Sequence, residues 1–146
     1  MSSINELLEC AGWLENRLTT AAGPGNIQTL ISGAYLGQIP DEVDLPAVRF
    51  TSVLPLDIRG AARASHRIMV QIDWMIVVVT KGLAVAPLVP LANALDLRLD
   101  NVNGSTAALS VLSCVRLYPF HLLERTDTGE HFRHAGGVYR TIVQAV

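Results

Sequence analysis

The residues of this chain able to do chemistry are four histidines, two cysteines, thirteen carboxylates and a short arginine-rich stretch. His131 and His134 lie three apart, a spacing that sends them to opposite sides of a strand. A zinc site needs three or four ligands. No cysteine lies near this pair, and His66 and His121 stand alone. The histidines therefore read as surface or rim residues, and no metal is expected. Cys10 and Cys114 lack a C-x-x-C partner and read as small buried hydrophobes. A nucleophilic thiol would need a histidine beside it. Glu124 and Glu130 are close in sequence, but paired carboxylates do acid–base work only in a cleft that shifts their pKa values. They read as hairpin surface charges. Arg59, Arg63 and Arg67 recur every four residues, which on a helix would align them to grip phosphate. The Gly, Ala and Ser around them argue for a loop instead. Gly23-Pro24-Gly25 follows a helix rather than opening one after a strand. Neither phosphate-loop fingerprint is present, nor is G-x-S-x-G. No catalytic constellation emerges, and neither an enzyme nor a cofactor is expected.

These residues must be placed by elements that the pattern predicts in turn. Residues 3–21 read as a helix, with Ser3 and Glu6 as a capping box and an apolar stripe through Ile4, Leu7, Leu8, Ala11, Leu14 and Leu18. Residues 26–46 read as an irregular but apolar segment carrying Ile27, Leu30, Ile31, Tyr35, Leu36 and Ile39, a composition that calls for something to cover it. Residues 47–54 read as a strand, with Val48 and Phe50 opposite Arg49 and Thr51. Residues 57–67 read as a mobile connection. Residues 66–80 carry the strongest strand signal. Ile68 to Val78 form one apolar face, while the other changes from Gln71 and Asp73 to Met75, Val77 and Val79. Residues 86–100 read as a second helix on Leu88, Leu91, Leu95 and Leu99, with Asn93, Asp96, Arg98 and Asp100 on other faces. Asn103-Gly104 reads as a turn, 108–124 as a strand kinked at Pro119, and 130–146 as a returning strand broken at Gly136-Gly137. The expectation is one domain, residues 1–146. Its fold class is α+β, with an antiparallel or mixed sheet flanked by helices on one face in the order α-ββ-α-ββ(β).

Composition narrows the function classes. Half of the 146 residues are apolar and only 16% are charged, where soluble domains carry about 25% charge. That excludes a disordered chain. A membrane span needs about 18 consecutive apolar residues, and the best run, Trp74 to Val79, is bracketed by Asp73 and Lys81. The first residues lack the pattern of a signal peptide. A net charge of −2 gives no footprint for sequence-specific nucleic-acid binding. Ten of the eleven basic residues are arginine, a residue favoured at protein interfaces. The apolar surplus is therefore assigned to subunit contact. Its expected locations are the 27–39 segment and the doubly apolar end of the 66–80 strand.

The second half of the chain carries a resemblance. An apolar strand ends in Lys81-Gly82, and the Leu88/Leu91/Leu95 helix follows. After a Gly-containing turn comes a strand with Cys114-Val115-Arg116, then Glu130-His131-Phe132-Arg133-His134-Ala135-Gly136-Gly137-Val138-Tyr139-Arg140. Over residues 48–146 this arrangement resembles the tail-terminator, or tail-completion, proteins of long-tailed bacteriophages and prophages. The resemblance implies a virion structural protein, made in the host cytoplasm, that is not an enzyme. Such a protein forms a ring, commonly a hexamer, on the end of the tail tube. It stops tube polymerisation and joins the tail to the head connector, with DNA passing through the ring lumen. Its partners would be other copies of itself, the tube protein and the connector protein, with no membrane. Candidate contact residues are Leu30, Tyr35, Leu36, Arg59, Arg63, Arg67, Arg133, His134 and Arg140, with Tyr139 facing the core. The alternative from the residues alone is a small metabolite-binding or regulatory α+β domain.

Overall fold

Two amphipathic helices and several apolar strands can hide their apolar faces only against one another. The computed structural model describes the backbone of residues 3–20, 23–60 and 63–145, and the side chains of these outside 3–5 and 54–68. In chain order the elements are α1 (Ser3–Thr19), a single 3-10 turn (Ile27–Thr29), β1 (Ala34–Leu36), β2 (Ala47–Gly60), β3 (Arg63–Lys81), α2 (Leu88–Leu99), β4 (Val102–Ser105), β5 (Leu109–Arg125) and β6 (His131–Ala145). The strands form one mixed sheet in the order β1-β2-β3-β6-β5-β4. Only β1–β2 is parallel among these pairs. The chain is thus an α+β domain, with one more strand in its first half than the expected order allowed.

β3 and β6 are central. The face predicted for β3 is buried from Val70 through Ile72, Trp74, Ile76 and Val78. It joins Val48 and Phe50 of β2, Tyr139 and Val143 of β6, and Val111 and Cys114 of β5 in one core with both helices. The helices therefore share one face, as expected. From α1 that core takes Cys10, Ala11, Trp13, Leu14 and Leu18, while Leu8 is 55% exposed, outside the stripe expected of it. The capping contact expected of Ser3, and the expected helix end at Ala21, lie outside the described residues. From α2 all four predicted leucines are buried. Arg98 is a correction: it is 1% exposed, not on an outer face.

Four further expectations are corrected. The 57–67 stretch is not a loose connection, because Asp57 pairs with Val70, Ile58 with Met69, Arg59 with Arg67 and Gly60 with Arg63. Its Gly, Ala and Ser content suggested a loop because the sequence there does not alternate apolar and polar residues. The backbone pairing of β2 with β3 makes both stretches strands. Asn103-Gly104 lies inside β4 rather than in a turn. A Cβ on Gly104 would stand 2.5 Å from the Trp13 indole nitrogen, so the glycine makes room for α1. β5 is irregular between Arg116 and Tyr118 rather than at Pro119. β6 runs unbroken through Gly136-Gly137, where the β3 and β5 backbones crowd it. A Cβ on Gly136 would lie 2.0 Å from the Ile76 carbonyl oxygen. Gly136→Ala is therefore expected to lower the unfolding free energy by about 2 kcal/mol or more, because two central backbones must part. Urea unfolding checks this, and a loss under about 0.5 kcal/mol would contradict the close approach.

Candidate functional site

A strand laid parallel to its successor needs a return connection. The residues joining β1 to β2 provide it, lying over the face of the sheet away from the helices. Ile39, Val43 and Leu45 of this connection are half-buried and, with Val79, line a pocket. The register explains the floor: Ala47 pairs with Val79, Arg49 with Val77, and Val79 with His134. The second wall is the β5–β6 turn, with Thr126, Thr128 and Glu130. The pocket measures about 610 Å³ and stands open to solvent. The apolar end of β3 is therefore buried within the subunit, with Val77 at 0% and Val79 at 4% exposure. This corrects its assignment to subunit contact. The sequence shows that both faces of the strand are apolar, but not that the chain supplies its own cover.

Five ionisable side chains define the pocket chemically. His134 is 6% exposed, and its Nε2 lies 3.2 Å from Oε1 of Glu124. Its Nδ1 is buried without a hydrogen-bond partner, as is Nε of Arg49. Glu124, Glu130 and Asp41 add carboxylates to the lining, and Glu130 lies 3.7 Å from Lys81. The arrangement can bind a polar group that both accepts from Arg49 and meets carboxylates. Its lining includes no cysteine or serine. The thiols lie elsewhere, in the core, where burial pushes Cys10 up to about 11 and Cys114 up to about 12. Cys10 is further tied by a contact from Sγ to Thr141 Oγ1 at 3.6 Å. Among the described residues no group of three or more His, Cys, Asp or Glu is placed to hold a metal.

The structure scatters the residues expected at a contact surface. His134 lines the pocket. Arg133, on the opposite face of β6, donates to the Leu83 carbonyl at 2.6 Å and meets His121 at 3.2 Å. Arg140 is held by a two-pronged pair with Asp73, at 2.9 and 3.0 Å. Tyr139 is in the core as expected, and its hydroxyl donates to Asp96 at 2.9 Å. Leu30 and Leu36 are 42% and 47% exposed, and Tyr35 is half-buried. Arg59, Arg63 and Arg67 lie on the β2–β3 hairpin, where their side chains fall outside the described residues. Arg49 is a pocket residue with no role expected from the sequence, and Glu124, expected as a hairpin surface charge, lines the same pocket. Arg49 alternating with Val48 and Phe50 marked its face, but no local pattern shows that β6 brings His134 to that face.

A further run of exposed apolar residues lies on β5. After Cys114, β5 leaves the shelter of the helices, and β4 no longer pairs with it. Val115, Leu117, Tyr118, Leu122 and Leu123 are then 36–55% exposed. Their strand has β6 on one side and, among the described residues, no strand on the other. Asp100 Oδ1 accepts from the Arg116 backbone N–H at 2.8 Å, and Pro119 has no N–H to offer. Comparison with known proteins finds no matching family model and no significant match among curated proteins.

Proposed function

We propose that this chain is a ring-forming structural protein of a bacteriophage tail. It would end tube polymerisation and link the tail to the head connector. The observation that carries this reading is the outer half of β5, a long apolar sheet edge that the subunit leaves uncovered. Edges of this kind pair with other chains unless blunted. Here the blunting is partial: one side-chain acceptor, one proline, one irregularity and the charged residues Arg116, Glu124 and Arg125. Covering the edge in an assembly would also use the apolar surplus of the composition. The motif from Glu130 to Arg140 supports the specific assignment to tail terminators.

Light scattering coupled to size exclusion tests the reading. The expected species is a closed oligomer, six copies in the commonest case. In electron micrographs it should cap isolated tail tubes at one end. A monomer at every concentration that also leaves tube ends bare would overturn the proposal. Leu36→Asp tests the β1 edge as contact surface. Because Leu36 is half exposed, stability should change by less than about 0.5 kcal/mol, while the oligomer should dissociate. An unchanged particle mass would remove β1 from the interface.

The pocket favours a second reading, a small metabolite-binding domain. Its volume falls within the roughly 300–1,000 Å³ of small-molecule sites. A thermal shift with small cationic or zwitterionic metabolites, in a protein that stays monomeric, would decide for it.

A further inference from the structure

The two ends of the sheet carry opposite charge. Beyond the Val70–Val143 pair, β3 has no β6 beside it. It continues with β2 alone as a two-stranded arm whose last described pair is Gly60–Arg63. Residues 57–69 contain Arg59, Arg63 and Arg67 against a single acid, Asp57. Two-stranded ribbons are at best marginally stable in water, so such an arm gains from a third surface. At the other end of β3, where Lys81 pairs with Phe132, lies the pocket with Asp41, Glu124 and Glu130. Further acids, Glu42, Asp44 and Asp127, follow in the same two connections. Lys81 and Arg49 are the basic residues facing them.

We propose that the pocket of one copy receives the basic β2–β3 arm of the next, head to tail. This rests on the reading of the chain as a ring-forming protein and names the surfaces that make the ring. Three observations support the fit. The charges are complementary, and they sit at opposite ends of one sheet. A contact between unlike patches is heterologous, and it closes a ring when its rotation closes. The pocket also holds polar atoms that nothing among the described residues satisfies. Nε of Arg49 needs an acceptor, which an outward backbone carbonyl on the edge of an incoming ribbon supplies. Nδ1 of the 6%-exposed His134, whose Nε2 faces Glu124, can accept from an arginine N–H when the ring is neutral. Finally, the chain from the end of β2 to the start of β3 reads Gly60-Ala61-Ala62-Arg63, a sequence of small residues before the arginine.

Charge reversal and mixing test this proposal. In the full chain, Arg59→Glu, Arg63→Glu and Arg67→Glu together should give a folded monomer by circular dichroism and light scattering. Asp41→Lys, Glu124→Lys and Glu130→Lys together should do the same from the pocket side. Mixed in equal amounts, the two variants should reassemble into a particle of wild-type mass with alternating subunits, because each arm then meets a pocket of opposite sign. If a reversal variant does not fold, Arg59→Gln, Arg63→Gln and Arg67→Gln together should still weaken assembly by about tenfold or more. Wild-type particles that persist with a reversed arm, or variants that do not rescue each other, would overturn the arm-and-pocket contact and leave the ring reading intact. A wild-type chain that neither self-associates nor caps tubes would overturn both.

Discussion

Replacing Trp74 by alanine is expected to lower the unfolding free energy by roughly 3–5 kcal/mol, the range for truncating a large buried aromatic. Trp74 is fully buried at the middle of β3, with β2 and β6 on either side and the helices above. Its ring centroid lies 5.9 Å from that of Phe50 at a tilt of 58°, an arrangement that adds to simple burial. The indole N–H donates to Thr141 Oγ1 at 3.1 Å, and that hydroxyl donates to the Ile72 carbonyl at 3.0 Å. Truncation thus opens a cavity and strips one partner from a buried hydroxyl. Trp74→Phe keeps most of the volume and loses only the N–H, so it should cost less than half as much. Urea unfolding at fixed protein concentration, with the slope unchanged, measures both, since self-association would otherwise add to apparent stability. A near-neutral Trp74→Ala would mean that the core is not centred where the structure places it.

The second large effect is expected at Arg98. Its guanidinium clamps three parts of the chain: Nε donates to the Pro24 carbonyl at 3.1 Å, Nη1 to the Arg17 carbonyl at 2.7 Å and Nη2 to Gln28 Oε1 at 2.8 Å. Arg17 returns the contact, with Nε donating to the Arg98 carbonyl at 2.8 Å, and lies over the Trp13 ring. The Arg17 carbonyl is in the last turn of α1, where helical acceptors have no partner of their own. Burial, and then the nearby Arg17 charge, lower the Arg98 pKa from the ordinary arginine value. Arg98→Leu leaves these acceptors unpaired at ~1–3 kcal/mol each, so a loss of roughly 3–4 kcal/mol is expected after partial rehydration. Arg98→Lys should not restore it, because one ammonium cannot reach three diverging acceptors. Hydrogen exchange should show the 23–28 segment losing protection first. A loss under about 1 kcal/mol, with that segment still protected, would contradict the clamp.

Arg98 also shows how far local pattern reaches. The leucine stripe of α2 was legible because helix period alone decides which residues share a face. One residue before Leu99, Arg98 read as solvated, since an arginine counts as polar in any periodic reading. Its burial depends on acceptors 70 to 81 positions away. The same distinction separates the two faces of β3. Alternation placed Trp74 in the core and Asp73 opposite, and the register with β6 then paired Asp73 with Arg140. The pocket was not legible. Arg49, Glu124 and His134 come from three strands, and a chain return that no local rule predicts brings a wall over them. The apolar surplus was legible as an amount and only partly in position: Leu30 and Leu36 of the 27–39 segment are exposed, whereas the apolar end of β3 is buried. Composition counts side chains, whereas exposure depends on where the helices stop covering the sheet, which is after Cys114.

The sequence by itself thus determined the α+β class, the one-sided placement of the helices and most of the core, because periodicity and propensity act within a few residues. It also determined the charge of the 57–69 segment and the acidity of the two connections around the pocket. Only the tertiary structure decided that these lie at opposite ends of one sheet, that the outer half of β5 is an exposed apolar edge, and that His134 faces Glu124. Those outcomes are set by strand order and register, which depend on pairings between residues far apart in the chain.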